Sequence, residues 1–281
     1  AALHGVTVVG RETAFAVGDH GVLWKTTNGG KSWDRLETGT TFALKMLLAP
    51  TDKFLIAAGG GRESHSGISR GLLLVSRDGG LTWTDRARLS DGTHLPRLHG
   101  AHFVSPTEGI VWGEPSVSGG PWAGTGVFRT EDAGDTWQPV PVPSTTGWQT
   151  AAFLDLEQGF VANRLGEARL VLGFASEPSR LDRLADRRLH DVSLERGGHG
   201  WLVGDSGTLL RTENSGISWL AVPTIPAVVR RAVDFRAVWS REQTVLAAGN
   251  PGSVVWRSRD GGRNWDAVST PISTPIHDLA L

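Results

Sequence analysis

The chain has 281 residues, a formal net charge of −1 with both signs mixed along it, and no cysteine. These features exclude disulfides, thiolate metal sites and a cysteine nucleophile, and they offer no basic excess that would favour nucleic acid. No apolar run approaches the roughly 18 residues of a transmembrane helix, so we expect no membrane insertion. The start, Ala1-Ala2-Leu3, suits an N-terminus processed by removal of a signal peptide or of a tag.

An eight-residue motif recurs along the chain in the form Ser/Thr-x-Asp/Asn-x-Gly-x-Ser/Thr-Trp. In chain order it occupies 26–33, 76–83, 130–137, 212–219 and 258–265, and only Asn264 in the last copy departs from the pattern. The gap of 82 residues from Trp137 to Trp219 spans two repeats, so one unit over about 148–181 lacks the motif. In its place, the apolar spacing of 180–188 permits a short helix.

Each repeat unit is predicted to form four short strands, with a Gly-Asp-x-Gly turn between the second and third and the motif between the third and fourth. Such units are typical of propeller blades. The sequence therefore predicts an all-β protein, a β-propeller of four-stranded blades in one domain, 1–281. It has six recognisable repeat units, at about 1–40, 41–90, 96–143, 146–186, 187–224 and 232–270. A strand at 275–281 either begins a seventh blade or closes a six-bladed ring.

The recurring motif packs several turn-forming features together. Its Asp or Asn can accept hydrogen bonds from nearby backbone N–H groups, its Gly permits a positive φ, and its Trp can pack into the blade. Asn28 and Asn214 keep the acceptor oxygen but lack the charge that a metal ligand or general acid needs. We therefore expect structural roles for Asn28, Trp33, Asp78, Trp83, Asp132, Trp137, Asn214, Trp219, Asp260 and Trp265.

The motif resembles the Asp box of the BNR superfamily, which includes sialidases, xyloglucanases, sortilin-like receptors and photosystem II assembly factor-like proteins. The fuller unit Leu189–Trp219, with Gly-Trp-Leu-Val-Gly-Asp-Ser-Gly-Thr-Leu-Leu-Arg-Thr before its box, is most similar to the last group. The resemblance covers nearly the whole chain and is weakest over 148–188. It implies a non-catalytic, exported propeller (periplasmic, lumenal or secreted) that helps membrane or envelope proteins assemble. It does not specify a photosynthetic host.

Enzymatic readings of the superfamily fit less well. Sialidases use a Tyr nucleophile, and this chain has no Tyr. Nothing assigns the available arginines, Arg62, Arg70, Arg97 and Arg236, to a sialidase triad. Another glycosidase could use two of the loop carboxylates Glu63, Asp91 and Glu114. We predict no catalytic residue, cofactor or metal, and keep a glycan-binding or glycoside-hydrolase-like propeller as the alternative.

A basic residue recurs at the second position of the first strand of most units. The positions are His4, Lys45, His99, His190, Arg236 and His277, with Gln149 in the unit that lacks a box. Because the first strand of a blade is innermost, these side chains are predicted to line the axis and accept a carboxylate, an acidic glycan or an acidic peptide. The alternative is that each imidazole hydrogen-bonds the backbone and stabilises strand packing.

Two units expand the connection between the second and third strands, at 59–70 and 113–124. Strand direction places both loops on the face opposite the Asp boxes, and long loops on a rigid scaffold commonly bind partners. Arg62, His65, Arg70 and Trp122 are the candidate contacts there. The predicted function is a non-catalytic scaffold that docks a protein partner, such as a membrane or envelope protein, on this loop face. An anionic peptide or glycan also fits.

Overall fold

The structure is a computed structural model, which describes residues 2–89, 92–116, 123–144, 146–181, 187–222, 233–271 and 273–280. These residues form six sheets of antiparallel four-stranded meanders, one of which has an added fifth strand. The sheets group into two compact units, Ala1–Gly147 with Ala280–Leu281, and Trp148–Leu279. Among the described residues, no helix has the length and apolar character needed to cross a bilayer.

The first unit contains three sheets, which we call blades 1 to 3. Blade 1 comprises β1 (Leu3–Val8), β2 (Ala14–Gly18), β3 (Leu23–Thr26) and β4 (Asp34–Leu36). Blade 2 comprises β5 (Ala43–Leu48), β6 (Leu55–Arg62), β7 (Ser69–Ser76) and β8 (Thr84–Asp85). Blade 3 comprises β9 (Leu98–Phe103), β10 (Gly109–Gly113), β11 (Val127–Thr130) and β12 (Gln138–Pro139).

The second unit contains blades 4 to 6. Blade 4 comprises β13 (Thr150–Phe153), β14 (Gln158–Ala162), β15 (Ala168–Leu172) and β16 (Ala175–Pro178). Blade 5 comprises β18 (Leu189–Leu194), β19 (Gly200–Gly204), β20 (Thr208–Thr212) and β21 (Ser218–Ala221), with β17 (Arg180–Leu181) added in parallel to β21. Blade 6 comprises β22 (Asp234–Arg241), β23 (Thr244–Asn250), β24 (Val254–Ser258) and β25 (Asp266–Ser269).

Burial follows strand position within each blade. The second strands β10 and β19 are buried at every residue. Blade 5 lies between blades 4 and 6 of its own unit, which cover both faces of β19. The fourth strands are short or exposed, and all four residues of β25 face solvent. Apolar side chains such as Phe15 and Leu55 in the first unit and Phe160 and Leu202 in the second fill the core between sheets.

The predicted all-β class with six four-stranded units is confirmed. Blade 4 forms without an Asp box, because Gly173 at φ 60° allows a tight turn into β16. The short helix expected at 180–188 is wrong at Arg180–Leu181, which pairs with β21; 182–186 lie outside the described residues. The described residues 275–280 form no strand, so the strand expected at 275–281 is wrong over these residues, and the blade number stays a prediction.

Candidate binding site

The Asp boxes are closed by hydrogen bonds from their own residues. Asp78 Oδ1 accepts the N–H groups of Leu81 (3.0 Å) and Thr82 (2.9 Å), and Oδ2 accepts the Thr82 hydroxyl (2.6 Å). These bonds hold the pKa of Asp78 far below its usual value. Asn28 makes the equivalent turn, since its Oδ1 accepts the Ser32 N–H (3.0 Å) and its Nδ2 donates to the Ser32 hydroxyl (2.8 Å). The turn therefore needs an acceptor and not a charge.

The remaining boxes repeat this geometry. Asp132 accepts from Thr136, Asn214 bonds Ser218, and Asp260 accepts from Asn264. The backbone N–H of Asn264 is the main cause that lowers the pKa of Asp260 to about 2. Box carboxylates are thus occupied within their own turns, which leaves them no free oxygen pair for a substrate or metal.

The box tryptophans differ widely in burial. Trp137 and Trp219 are 4% and 1% exposed, whereas Trp33 is 38% exposed. Trp83 and Trp265 lie between these extremes and donate their indole N–H groups to box carbonyls, those of Gly80 and Gly262 respectively. Burial in the motif therefore depends on what the neighbouring blade contributes.

The repeated basic position of the first strand is a β-bulge. The ladder between the first and second strands skips one residue in five of the six blades. The skipped residues are His4, Lys45, His99, His190 and Arg236. A bulge redirects its side chain away from the ladder. Gln149 of blade 4 precedes its strand, and His277 is exposed and outside any strand.

Two of these basic residues, His4 and His190, each contact the aspartate of a Gly-Asp-x-Gly turn. His4 Nε2 lies 2.6 Å from Asp19 Oδ1, and Lys45 Nζ lies 2.9 Å from His4 Nε2. The hydrogen bond from His4 is the largest cause that lowers the pKa of Asp19. We name this group the blade 1 latch.

The second unit repeats this arrangement in the blade 5 latch of His190, Asp205 and Arg236. His190 Nε2 lies 2.6 Å from Asp205 Oδ1 and 2.7 Å from Arg236 NH1. Burial, aided by Arg236, lowers the pKa of His190 despite the opposing effect of Asp205. Sequence reasoning missed Asp19 and Asp205, although each follows its histidine by 15 residues at a turn already recognised. The latch contacts are therefore structural, but their partners are side chains and not the backbone groups expected from the sequence.

Asp191, beside the blade 5 latch, is a partly buried carboxylate that bridges two strands. Its oxygens accept the N–H groups of Val192 (2.9 Å) and Val238 (2.8 Å), which joins β18 to β22. Burial raises the pKa of Asp191 to about 7, and Asp278 adds to the rise.

Three arginines of the first unit lie at the expanded loops of blades 2 and 3. Arg62 and Arg97 lie near Glu114, whereas Arg70 lies on the other face of the hairpin, over the Phe42 ring. Most of the 59–70 loop is an extended hairpin, in which Gly61 pairs with Arg70 and Arg62 with Ser69. We name Arg62, Arg70 and Arg97 the arginine cluster. The Arg62 side chain is 66% exposed, whereas those of Arg70 and Arg97 are 32% and 30% exposed.

Two carboxylates lie near the arginine cluster, but neither is within hydrogen-bond distance of its guanidinium groups. Glu114 lies 3.7 Å from Arg62 and 3.9 Å from Arg97, and Glu63 lies 3.9 Å from Arg70. The closest partner of Glu114 is instead the Ser69 hydroxyl, at 2.6 Å. The buried Nε atoms of Arg70 and Arg97 have no hydrogen-bond partner within the described part of the chain. These Nε atoms are out of reach of a partner, but the terminal guanidinium nitrogens are not. Arg62 NH1 donates to the Gly67 carbonyl (3.3 Å), and no carboxylate of the described residues comes closer than 3.7 Å to the three guanidinium groups, so their terminal nitrogens can bind an external anion.

A cavity of about 400 Å³ opens beside this cluster. Its lining includes Arg62, Ser69 and Glu114, with Ser66, Gly67, Ile68, Pro115 and Thr146 around them. His65 is exposed at the turn of the same hairpin. The candidate residues Trp122 and Asp91 lie outside the described residues. The structure thus places Arg62 with Arg97 and Glu114, two residues that sequence reasoning had considered only for catalysis.

Metal chemistry gains no support from the described residues. Over the ranges that the structure covers, no three His, Asp or Glu side chains are grouped to hold a metal ion. Glu114, a candidate glycosidase carboxylate, accepts a hydrogen bond from the Ser69 hydroxyl.

Comparisons with known proteins point in one direction. The profile of a family described as photosynthesis system II assembly factor YCF48 matches residues 176–276. The photosystem II assembly lipoprotein Ycf48 of Synechococcus sp. (strain CC9902) is 23% identical over 258 residues, which are 90% of this chain and 71% of that protein. The chain resembles these assembly factors. The resemblance predicted from the repeat unit is therefore confirmed.

Solved structures agree with the fold class. The structure of YCF48 bound to D1 peptide aligns with a TM-score of 0.67 at 19% identity, over 95% of this chain and 80% of that one. A GH74 xyloglucanase from Xanthomonas campestris aligns with a TM-score of 0.68 at 16% identity, over 95% of this chain but 45% of that enzyme. At such identities these likenesses show the fold alone, and the fold is a β-propeller.

Proposed function

We propose that this chain is a non-catalytic assembly scaffold that docks an acidic segment of a protein partner on the arginine cluster. The observation that carries the proposal is the mismatch between guanidinium donors and carboxylates there. Arg62 and Arg97 approach Glu114 no closer than 3.7 Å, and Arg70 approaches Glu63 no closer than 3.9 Å, although all three side chains are partly or largely exposed. Such donors gain most from a carboxylate that reaches hydrogen-bond distance.

The adjacent cavity supports a peptide as the ligand. Its volume of about 400 Å³ and its Ile68 and Pro115 walls suit a side chain next to the acidic group. The similarity to Ycf48, which has been solved with a D1 peptide, supports a protein partner, and we propose a membrane or envelope protein. The lipoprotein Ycf48 also supports our proposal that the chain acts after export, in a periplasmic, lumenal or secreted location.

Fluorescence anisotropy with a labelled hexapeptide of alternating glutamate and alanine tests the proposal. We expect binding that weakens at least about tenfold when Arg62, Arg70 and Arg97 are all replaced by Gln. The matched control replaces three exposed arginines elsewhere, Arg35, Arg196 and Arg241, with Gln and so removes the same charge. Equal losses in the two variants would reduce the effect to net charge and contradict the proposal.

A sulfated glycan provides the second arm of the experiment. The same anisotropy assay with a chondroitin sulfate oligosaccharide should give weaker binding than the peptide, because the glycan has no amino-acid side chain to contact the cavity wall. Preference for the glycan, or its hydrolysis, would favour the glycan-active alternative over protein docking.

A further inference from the structure

The grooves between blades of the second unit differ in what fills them. Each groove lies between the fourth strand of one blade and the Asp box of the next. Between blades 4 and 5 the chain fills the groove with its own segment 179–181. Between blades 5 and 6 the described residues, which stop at 222 and resume at 233, leave a cavity of about 400 Å³ in the corresponding groove. This difference does not involve the arginine cluster or the function proposed for it.

The filled groove shows which contacts hold an extended segment there. The Arg180 N–H donates to the Ile217 carbonyl of the box (3.1 Å), and β17 then pairs in parallel with β21. Leu181 packs against the core cluster that contains Phe160 and Trp219. These two aromatic rings lie 5.0 Å apart, and Trp219 is covered to 1% exposure.

The open groove has the same framework. Trp201 and Trp265 replace Phe160 and Trp219 at equivalent positions, with ring centroids 5.6 Å apart. Gly262 takes the place of Gly216. A Cβ atom on residue 262 would lie 2.1 Å from the Trp201 ring, so any side chain at this position would collide with Trp201. Trp265 remains partly exposed, and all four residues of the edge strand β25 face solvent. The groove therefore has an apolar cavity of the kind that a leucine side chain fills. It also has an exposed strand edge, β25, with which the backbone of such a segment can pair.

The chain's own sequence is poorly suited to fill this second groove. Val222 stands where Ser179 stands in the filled groove, since each donates its N–H to the first residues of its third strand. The next residues in sequence are Pro223 and Thr224, in place of Arg180 and Leu181. A proline has no N–H to give the box carbonyl, and a threonine offers less apolar surface than a leucine.

Charge distinguishes the ligand of the open groove from the segment in the filled one. Arg211 and Arg263 line the cavity, where the equivalent positions of the filled groove carry Leu170 and Ile217. Glu213 pairs with Arg211 at 2.5 Å, whereas Arg263 has no ion pair within the described ranges. The rim therefore favours an acidic residue where the filled groove has Arg180.

We propose that the groove between blades 5 and 6 binds an extended segment of a partner protein that has an acidic residue followed by leucine. The acidic residue donates its backbone N–H to the Arg263 carbonyl and directs its carboxylate at the Arg263 guanidinium. The leucine enters the cavity against the partly exposed Trp265, whose ring contacts the buried Trp201, and the segment adds a parallel strand to β25.

The chain itself supplies the probe. A labelled peptide with the sequence of residues 176–181 and glutamate at the place of Arg180 should bind the full chain in an anisotropy titration. The unchanged sequence should bind at least about fivefold more weakly, and the probe with alanine at the place of Leu181 about tenfold or more. Hydrogen exchange should slow at the amides of 264–266 when the probe is bound.

Surface variants locate the site. Leu220 lines the cavity and is 65% exposed, so Leu220→Glu should block the probe without unfolding the chain. Leu165→Glu, at a 63% exposed leucine outside the cavity, is its control. Arg263→Glu should weaken binding at least about fivefold, whereas Arg259→Glu, one turn away in the same box, should not. No binding at millimolar probe, or equal binding to Leu220→Glu and Leu165→Glu, would overturn the proposal.

Discussion

In the two latches each histidine meets a carboxylate at 2.6 Å, whereas in the arginine cluster the carboxylates stand 3.7–3.9 Å from the guanidinium groups. Both regions are basic, and both were candidates for binding on the strength of the sequence. The difference between them is whether the fold supplies the counter-ion at hydrogen-bond distance. Where it does, the basic residue fastens a bulged strand to a turn; where it does not, the charge remains available to a partner.

The same contrast between held and exposed side chains should have its largest effect on the free energy of unfolding at the box tryptophans. Trp219→Ala should lower the free energy of unfolding by about 3–5 kcal/mol, because the ring is 1% exposed and contacts Phe160. Trp33→Ala, at 38% exposure, should cost less than about 1.5 kcal/mol. Urea denaturation measures both, and equal losses would show that the motif stabilises every blade alike.

Asp191, which fastens β18 to β22, should make stability fall as pH rises. Its pKa of about 7 in the fold exceeds the unfolded value near 4, so the native state favours the protonated carboxyl. The stabilisation is fully present below pH 4 and is lost through pH 7, by at most about 4 kcal/mol. Asp191→Asn should remove this loss in urea titrations at pH 4, 6 and 8. If the free energy of unfolding fell equally with pH in Asp191→Asn and in the unchanged protein, the pH dependence could not be assigned to Asp191.

Removing a latch carboxylate should destabilise the protein more than removing one beside the arginine cluster. Asp205→Ala removes the carboxylate that His190 contacts at 2.6 Å, together with the 3.6 Å ion pair to Arg236, and should cost about 2 kcal/mol. Glu63→Ala breaks only a 3.9 Å contact to Arg70 and should change stability by less than about 0.5 kcal/mol. Thermal unfolding at pH 7 distinguishes them, and a larger loss for Glu63→Ala would reverse the roles assigned to the two regions.

Acid should weaken the blade 5 latch by a smaller amount. The pKa of His190 is lowered in the fold, so unfolded chains bind the proton first as pH falls below about 6.5. The stability that neutral His190 provides is present above that pH and declines below it. His190→Gln should flatten the stability profile between pH 7 and 5, and an unchanged slope would show that His190 does not titrate there.

The sequence was sufficient for the blades and their boxes, because each repeat encodes its turns locally. Thr26 to Trp33 specifies its own hydrogen bonds whatever surrounds it. The repeat period of the sequence also predicted equivalent positions for the basic residues. This is correct in five blades, because a β-bulge recurs at that position. The strand at Arg180–Leu181 was missed because its partner, β21, belongs to another repeat.

The arginine cluster could be found only in part. Arg62 and Arg70 stood out on an expanded loop, but Ser69 and Glu114 are 45 residues apart and meet through packing of two blades. The latches were missed as pairs because the histidine and the aspartate were each assigned a separate task. Sequence repeats specify a local turn well and say little about which side chains of different strands meet.

Binding of the glutamate–alanine hexapeptide to two matched variants tests the central contrast most directly. One variant replaces Arg62 and Arg97 with Gln, and the other replaces His4 and His190 with Gln. Removing arginines whose donors lack close acceptors should weaken binding about tenfold, whereas changing the fastened histidines should alter it by less than about twofold. A tenfold loss confined to the histidine variant would place the anion site at the latches and contradict the account.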